Sequence, residues 1–297
     1  MQPSLPSVGL DRRAALTGAG ALALARPAAQ PPTDARFLEL ERRLKGGRLG
    51  VFAIRNGQWR AAGYRQTERF PMCSTFKASL AAAVLQKIDR GEEHPDRVVN
   101  YSTDDLISHA PVTEKFVAEG MPVSELCKAA VEVSDNTAAN LLLRMVGGPA
   151  GLTRFWRSIG DDETRLDRIE LALNEAVPGD PRDTTTPAAM ARDLQRFFEA
   201  SVLKPASRKL LGNWMAGATT GLAAIRAGAP KGWRVGDKTG NGQRNSSNDI
   251  AVLWPPKGQP IYMAIYTTGG ELTGAPRQAV IAEAARTVLS SVSDAHG

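Results

Sequence analysis

Strand-like segments occur only at the two ends of this chain, so its fold must bring those ends together. Near the N-terminus, 34–45 carries Phe37, Leu38, Leu40 and Leu44 at helical spacing. Residues 48–54 and 58–64 then read as two strands joined by an Asn56-Gly57 turn. Near the C-terminus, 233–240, 248–254 and 261–268 read as three antiparallel strands, closed by an apolar helix over 277–292. The middle, roughly 70–215, reads as helices: 74–90 and 123–146 are rich in Ala and Leu, and 187–200 follows a threonine run suited to capping. One polar stretch, 161–186, interrupts them with many charges, Pro178-Gly179 and Pro181. A loop that long in a compact domain is usually functional. The pattern predicts an α/β domain from 30–66 and 217–297 and an all-α domain from 67–216, that is, an antiparallel sheet flanked by helices with an inserted helical domain. A site is expected in the crevice between the two.

A chain of 297 residues with 42% hydrophobic content is long enough for a sizeable core, which excludes general disorder. The formal charge of +6 is spread along the chain with acids interleaved, and the densest basic groups read as solvated helix faces. No nucleic-acid partner is expected. Residues 1–29 read as an export signal peptide: Arg12-Arg13 precede an apolar stretch over 14–25, and Ala25 and Ala29 suit a signal peptidase. A dozen apolar residues fall short of the roughly 20 that span a bilayer, so no membrane attachment is expected after cleavage. The paired arginines are like a twin-arginine signal, although Ala14-Ala15-Leu16 lack the usual bulky residues, which leaves the Sec route open. A periplasmic or secreted protein follows. Cys73 and Cys127 are compatible with one disulfide or with two buried thiols.

Four short motifs carry chemistry. Ser74-Thr75-Phe76-Lys77 opens a helical run, and three residues along a helix bring the lysine amine to the serine hydroxyl. A helix start also favours negative charge developing at the serine. For Lys77 to act as a base it must lose its proton near neutrality, which burial and a neighbouring cation such as Lys238 would promote. By itself the motif is weak: about one Ser-x-x-Lys is expected by chance in a chain of this length, and an N-capping serine explains it as well. Ser134-Asp135-Asn136 favours a turn that aims polar groups into a cleft, or is a plain Asx turn. Lys238-Thr239-Gly240 closes a strand with a cation, a hydroxyl and a residue whose missing side chain lets a ligand lie along the backbone, or is a surface lysine before a turn. Glu170 and Asn174, four apart in the polar loop, face one side of a helical turn. A carboxylate that accepts a proton and an amide that orients a water are what general-base hydrolysis requires. An exposed helix turn is the plainer reading of that pair. All four occurring in order is expected by chance about once in several thousand chains.

With these motifs the chain resembles the class A serine β-lactamases over nearly everything after the signal. Pro111-Val112-Thr113-Glu114-Lys115, the run 134–143, Tyr266-Thr267-Thr268, and Arg168 with Asp183 add to the likeness. The resemblance implies the two-domain serine β-lactamase/transpeptidase-like fold and hydrolysis of penicillins and cephalosporins, giving antibiotic resistance. In it Ser74 attacks the lactam carbonyl, the N–H groups of Ser74 and Asn241 hold the oxyanion, and Ser134 passes a proton to the leaving nitrogen. Lys238 and Thr239 hold the substrate carboxylate, Asn136 the acylamide group, and Glu170 with Asn174 the deacylating water. Either Lys77 or Glu170 is the acylation base. The resemblance implies a monomer acting on a small-molecule β-lactam with no cofactor and no metal, and Arg168 with Asp183 as the ion pair that ties down the polar loop.

This chain departs from the commonest pattern at several positions. His109 stands where an aromatic residue usually lines the cleft rim; an imidazole can stack there and can take a proton near neutrality. Asn241 replaces a small or hydroxyl residue. The arginine many members aim at the substrate carboxylate has no clear equivalent, and Arg277 is the substitute expected here. Ala81 and Gly242 occupy the positions of cysteines that pair with the counterparts of Cys127 and Cys73, which implies free thiols. A penicillin-binding peptidase shares the first three motifs but lacks the Glu170–Asn174 pair, and a β-lactam sensor needs a signalling or membrane segment that is not visible.

Overall fold

The computed structural model describes Met1 and residues 33–55 and 62–293. The signal segment, the Asn56-Gly57 turn and His296 lie outside the described residues. In chain order the elements begin with helix α1 (Thr33–Arg43) and strands β1 (Gly47–Arg55), β2 (Ala62–Tyr64) and β3 (Phe70–Pro71). Helix α2 (Phe76–Asp89), strands β4 (Val98–Val99) and β5 (Met121–Pro122), and helices α3 (Val123–Glu132), α4 (Asn136–Met145) and α5 (Gly148–Ser158) follow. Then come β6 (Thr184–Thr185), α6 (Pro187–Glu199), α7 (Pro205–Ala216) and the short α8 (Ile225–Gly228). Strands β7 (Arg234–Gly242), β8 (Ser246–Trp254) and β9 (Ile261–Gly269) and helix α9 (Gly274–Ser293) close the chain.

The two chain ends do form one sheet. Its order is β2-β1-β9-β8-β7, and every pairing is antiparallel. The first strand of the chain meets the last through a ladder from Gly47↔Gly269 to Arg55↔Ile261. Alternation along the strands separates two cores, because successive side chains point to opposite faces. Leu49, Val51, Ala251, Leu253, Met263 and Ile265 pack with Phe37, Leu40 and Leu44 of α1 and with Val280, Ile281 and Val288 of α9. Phe52, Ile250, Val252, Tyr262, Ala264 and Tyr266 face the other way, into the core of the helical half. At the centre of that half is α2, whose residues 76–85 are all buried, as expected for a helix without a polar face.

Three details differ from the sequence expectation. The run expected to be helical over 74–90 starts as a tight 3-10 turn, Cys73–Thr75, that leads into α2. The run over 123–146 is two helices, α3 and α4, broken at Ser134, whose φ of 61° ends the first. Two-residue ladders also appear, β3 with β6 and β4 with β5; they are too short to show a period. The β3–β6 ladder ties the end of the polar loop to the segment just before the Ser74 turn. Among the described residues no helix is long and apolar enough to cross a membrane.

Candidate active site

Ser74 is buried in the 3-10 turn and Lys77 in the first turn of α2. The Ser74 hydroxyl donates to Glu170 Oε1 at 3.1 Å. Lys77 Nζ lies 3.0 Å from the same oxygen and also reaches the Ser134 carbonyl at 2.8 Å, Ser134 Oγ at 3.3 Å and Asn136 Oδ1 at 2.5 Å. Complete burial pulls the Lys77 pKa below the ordinary lysine range, while Glu170 and Asp135 act to raise it. With four oxygens around one nitrogen, three protons are better matched to the surroundings than two, which favours the ammonium form.

Asp135 builds the turn that presents Ser134 and Asn136. Its Oδ1 caps α4 through Ala138 N at 2.9 Å, and its Oδ2 accepts from Val112 N at 3.1 Å and Thr113 N at 3.0 Å. The middle residue of the motif is therefore the one that joins the turn to the loop before it. Asn136 is held at both ends of its amide, since Nδ2 donates to the Ser108 carbonyl at 2.8 Å. Ser134 Oγ stands between two lysines, with Lys238 Nζ on its other side at 3.1 Å.

Glu170 arrives from the polar loop. Asn174 Nδ2 donates to Glu170 Oε2 at 2.5 Å. The two are not on a regular helical turn, because only Ala172–Asn174 is helical and in the 3-10 form, but they face each other as expected. Asn174 Oδ1 is buried and accepts no hydrogen bond among the described residues. Sequence reasoning missed Asn140, which clamps the Glu170 main chain by donating to its carbonyl and accepting from its N–H, both at 3.1 Å. Its position one helical turn beyond Asn136 was the available signal. The loop is pinned by Arg168 Nε to Asp183 Oδ2 at 2.6 Å, and Asp183 Oδ1 takes the N–H groups of Asp167 and Arg168 at 2.7 and 2.9 Å.

Lys238, Thr239, Gly240 and Asn241 lie along β7, an edge strand with one hydrogen-bonding side not used by the sheet. Lys238 is wholly buried; that burial, with repulsion from Lys77, pulls its pKa down to about 7. Thr239 Oγ1 shares a hydrogen bond with Thr220 Oγ1 at 2.6 Å, a partner the sequence did not suggest. A Cβ on Gly240 would lie 2.6 Å from the Met72 carbonyl and 3.0 Å from the backbone nitrogens of Ser74 and Thr75, so its missing side chain also admits the turn that carries Ser74. Asn241 is exposed at the end of the same strand.

His109 is exposed. Its φ is 63°, its carbonyl accepts from Asn136 N at 3.0 Å, and its Nε2 lies 2.9 Å from the Val133 carbonyl. Arg277 is a correction to the sequence expectation: it is 1% exposed, and its guanidinium donates to the carbonyls of Leu272 and Gly269. Those bonds hold it where β9 meets α9, two strands across the sheet from β7 and not beside Thr239. Cys73 and Cys127 are free and buried. Among the described residues no group of three or more His, Cys, Asp or Glu is placed to hold a metal ion.

The model of the beta-lactamase enzyme family matches residues 35–292. Beta-lactamase AST-1 of Nocardia asteroides is 48% identical over 87% of this chain and 83% of its own. The carbapenem-hydrolyzing beta-lactamase KPC of Klebsiella oxytoca is 45% identical over 93% of each. Among solved structures, the class A β-lactamase reconstructed for the last common ancestor of Gram-negative bacteria matches with a TM-score of 0.86 and 55% identity, over 88% of this chain and 99% of that one. Matches of that identity over nearly the whole length, around a serine, a lysine and a carboxylate in direct contact, make this chain a member of the class A β-lactamase family and a β-lactam-hydrolysing enzyme of antibiotic resistance.

Proposed function

We propose that the enzyme opens penicillins and cephalosporins through an acyl-enzyme on Ser74 and releases the acid with water activated by Glu170. The observation that carries this reading is the single oxygen, Glu170 Oε1, that meets both Ser74 Oγ and Lys77 Nζ. Glu170 takes the hydroxyl proton as Ser74 Oγ bonds to the lactam carbonyl carbon. The N–H groups of Ser74 and Asn241 receive the oxyanion, a contribution of about 3 kcal/mol for each donor. The C–N bond then breaks, and the nitrogen takes a proton from Ser134 Oγ, replaced from Lys77 at 3.3 Å. Lys238 and Thr239 bind the substrate carboxylate, Asn136 the acylamide group, and His109 flanks the entrance. Glu170 then returns its proton to the Lys77 amine across their 3.0 Å contact, which restores the carboxylate and the ammonium. In the second half, Glu170 deprotonates a water, the ester of Ser74 is cut, and the proton returns to Ser74. The free Asn174 Oδ1 beside Glu170 supplies an acceptor for that water. Arg277 has no part in this scheme, since it is buried with its Nε and Nη2 bonded to backbone carbonyls where β9 meets α9.

The chain is read as a monomer made of an α/β domain (30–66 and 217–297) and an all-α domain (67–216), exported by its first 29 residues to the periplasm or medium. Steady-state hydrolysis of benzylpenicillin and a chromogenic cephalosporin by the mature chain, with intact-mass sampling, tests the chemistry. Rapid turnover with little adduct is expected. A stable one-to-one adduct without turnover would instead make it a penicillin-binding protein.

A further inference from the structure

A cavity of about 530 Å³ lies apart from the Ser74 cluster, between the polar loop and the sheet. That volume is within the range of small-molecule sites, and none of the residues placed around Ser74 lines it. Five arginines do: Arg168 and Arg182 from the loop, Arg48 from β1, Arg69 just before β3, and Arg244 from the β7–β8 turn. Two carboxylates, Glu68 and Asp180, share the wall with them, and Pro71, Leu173 and Val177 give it an apolar part.

The pairing of these arginines leaves donors over. A guanidinium carries five N–H groups. Arg182 gives Nε and Nη2 to Asp180, Arg168 gives Nε to Asp183 and Nη1 to Glu175, and Arg48 gives Nη2 to Glu68. Arg69 is bonded to Glu163 and Thr184. The Arg244 side chain bonds to nothing among the described residues, and its backbone is set by a tight turn in which Arg244 and Asn245 have φ of 52° and 54°. One wall thus offers an uncommitted cation and the opposite wall offers two that are partly committed. Two cationic walls facing across an apolar patch suit a ligand with more than one anionic group on a small carbon frame, because planar guanidinium forks match oxyanion geometry.

We propose that this cavity binds a small polyvalent anion, gripped by Arg244 on the sheet side and by Arg168 and Arg182 on the loop side. Such a ligand bridges the sheet to the segment that carries Glu170, since Arg168 and Leu173 flank that residue in the chain.

The test is an ¹⁵N NMR titration of the mature chain at fixed ionic strength, which keeps general screening constant. Citrate and pyrophosphate serve as probes. Saturable shifts at Arg182, Arg244 and their neighbours are expected, with affinity at least tenfold weaker in Arg244→Glu and in Arg182→Glu. Both side chains are on the surface, so folding of these variants is readily checked by their unperturbed spectra. Saturation by citrate alone identifies a carboxylate ligand, and by pyrophosphate alone a phosphate. Shifts that rise linearly, that are confined to Lys238 and Thr239, or that keep full affinity in both variants would overturn the proposal.

Discussion

Glu170 Oε1 accepts a hydrogen bond from Ser74 Oγ at 3.1 Å although the two residues are 96 positions apart. The contact depends on the polar loop being folded back by Arg168–Asp183 and clamped by Asn140. It joins the Ser74 hydroxyl to a carboxylate without an intervening group, and the same carboxylate holds Asn174 on its other oxygen.

Replacing Glu170 with alanine therefore separates the two halves of the reaction. Acylation continues at a reduced rate, because without Glu170 to oppose it, burial lowers the Lys77 pKa further and lets the neutral amine act as the base, whereas deacylation loses the carboxylate held beside Asn174. A loss of about 10²- to 10⁴-fold in deacylation is expected for removal of a general base. Intact-mass spectra during penicillin turnover should show Ser74 mostly acylated. Turnover at the wild-type rate with no adduct would remove Glu170 from the mechanism.

Lys238 gives a pH dependence whose sign is fixed by the direction of its shift. Burial and Lys77 lower its pKa to about 7 in the free enzyme, so the ammonium that binds a substrate carboxylate is present below that pH and is lost as pH rises through it. kcat/KM, which reports groups on the free enzyme, should fall by up to tenfold per unit on the alkaline side, well before the ordinary lysine range. A bound carboxylate favours the charged form, so kcat should fall later than kcat/KM. In Lys238→Arg the guanidinium does not titrate in this range, and the alkaline limb should move upward. An unchanged limb in that variant would assign it to another group.

The parts of this site that were legible in the sequence are those set by local geometry. Ser74 and Lys77 are three apart on a helical run, and Ser134-Asp135-Asn136 cannot easily continue a helix, so both could be placed before any tertiary contact was known. The sheet from two chain ends was legible too, because alternation marks strands whichever partner they find. Contacts between distant segments were not. Asn140 and Glu170 are 30 residues apart, and Thr220 and Thr239 belong to a loop and a strand with no shared period. Arg277 shows the same limit from the other side: its charge is visible in the sequence, but the carbonyls of Leu272 and Gly269 that take its donors appear only once β9 meets α9.

Asp183 should matter to stability and to deacylation together. Its buried carboxylate takes the Arg168 side chain and two backbone N–H groups. Asp183→Ala leaves those donors unpaired and Arg168 without its innermost partner, a loss of about 3 kcal/mol for a broken, largely buried ion pair. Asp183→Asn keeps the shape and part of the hydrogen bonding and should lose less. Denaturant unfolding measures the first effect. Single-turnover kinetics measure the second, in which deacylation slows more than acylation because the loop carries Glu170 and not Ser74.

Gly240→Ala reverses that selectivity. The added methyl would fall 2.6 Å from the Met72 carbonyl and 3.0 Å from the nitrogens of Ser74 and Thr75, all backbone atoms that cannot rotate away. Either β7 or the turn holding Ser74 must shift, at about 1–3 kcal/mol for overpacking, and each shift moves the nucleophile relative to Lys238 and Thr239. The acylation rate should fall at least tenfold, while deacylation of whatever adduct forms changes less, because Glu170 is anchored to Asn140 on α4 and not to β7. Pre-steady-state acylation by a chromogenic cephalosporin reads the difference. An alanine variant that acylates as fast as the parent would show that β7 can retreat from the Ser74 turn without cost, and the close approach at Gly240 would then have no part in setting the site.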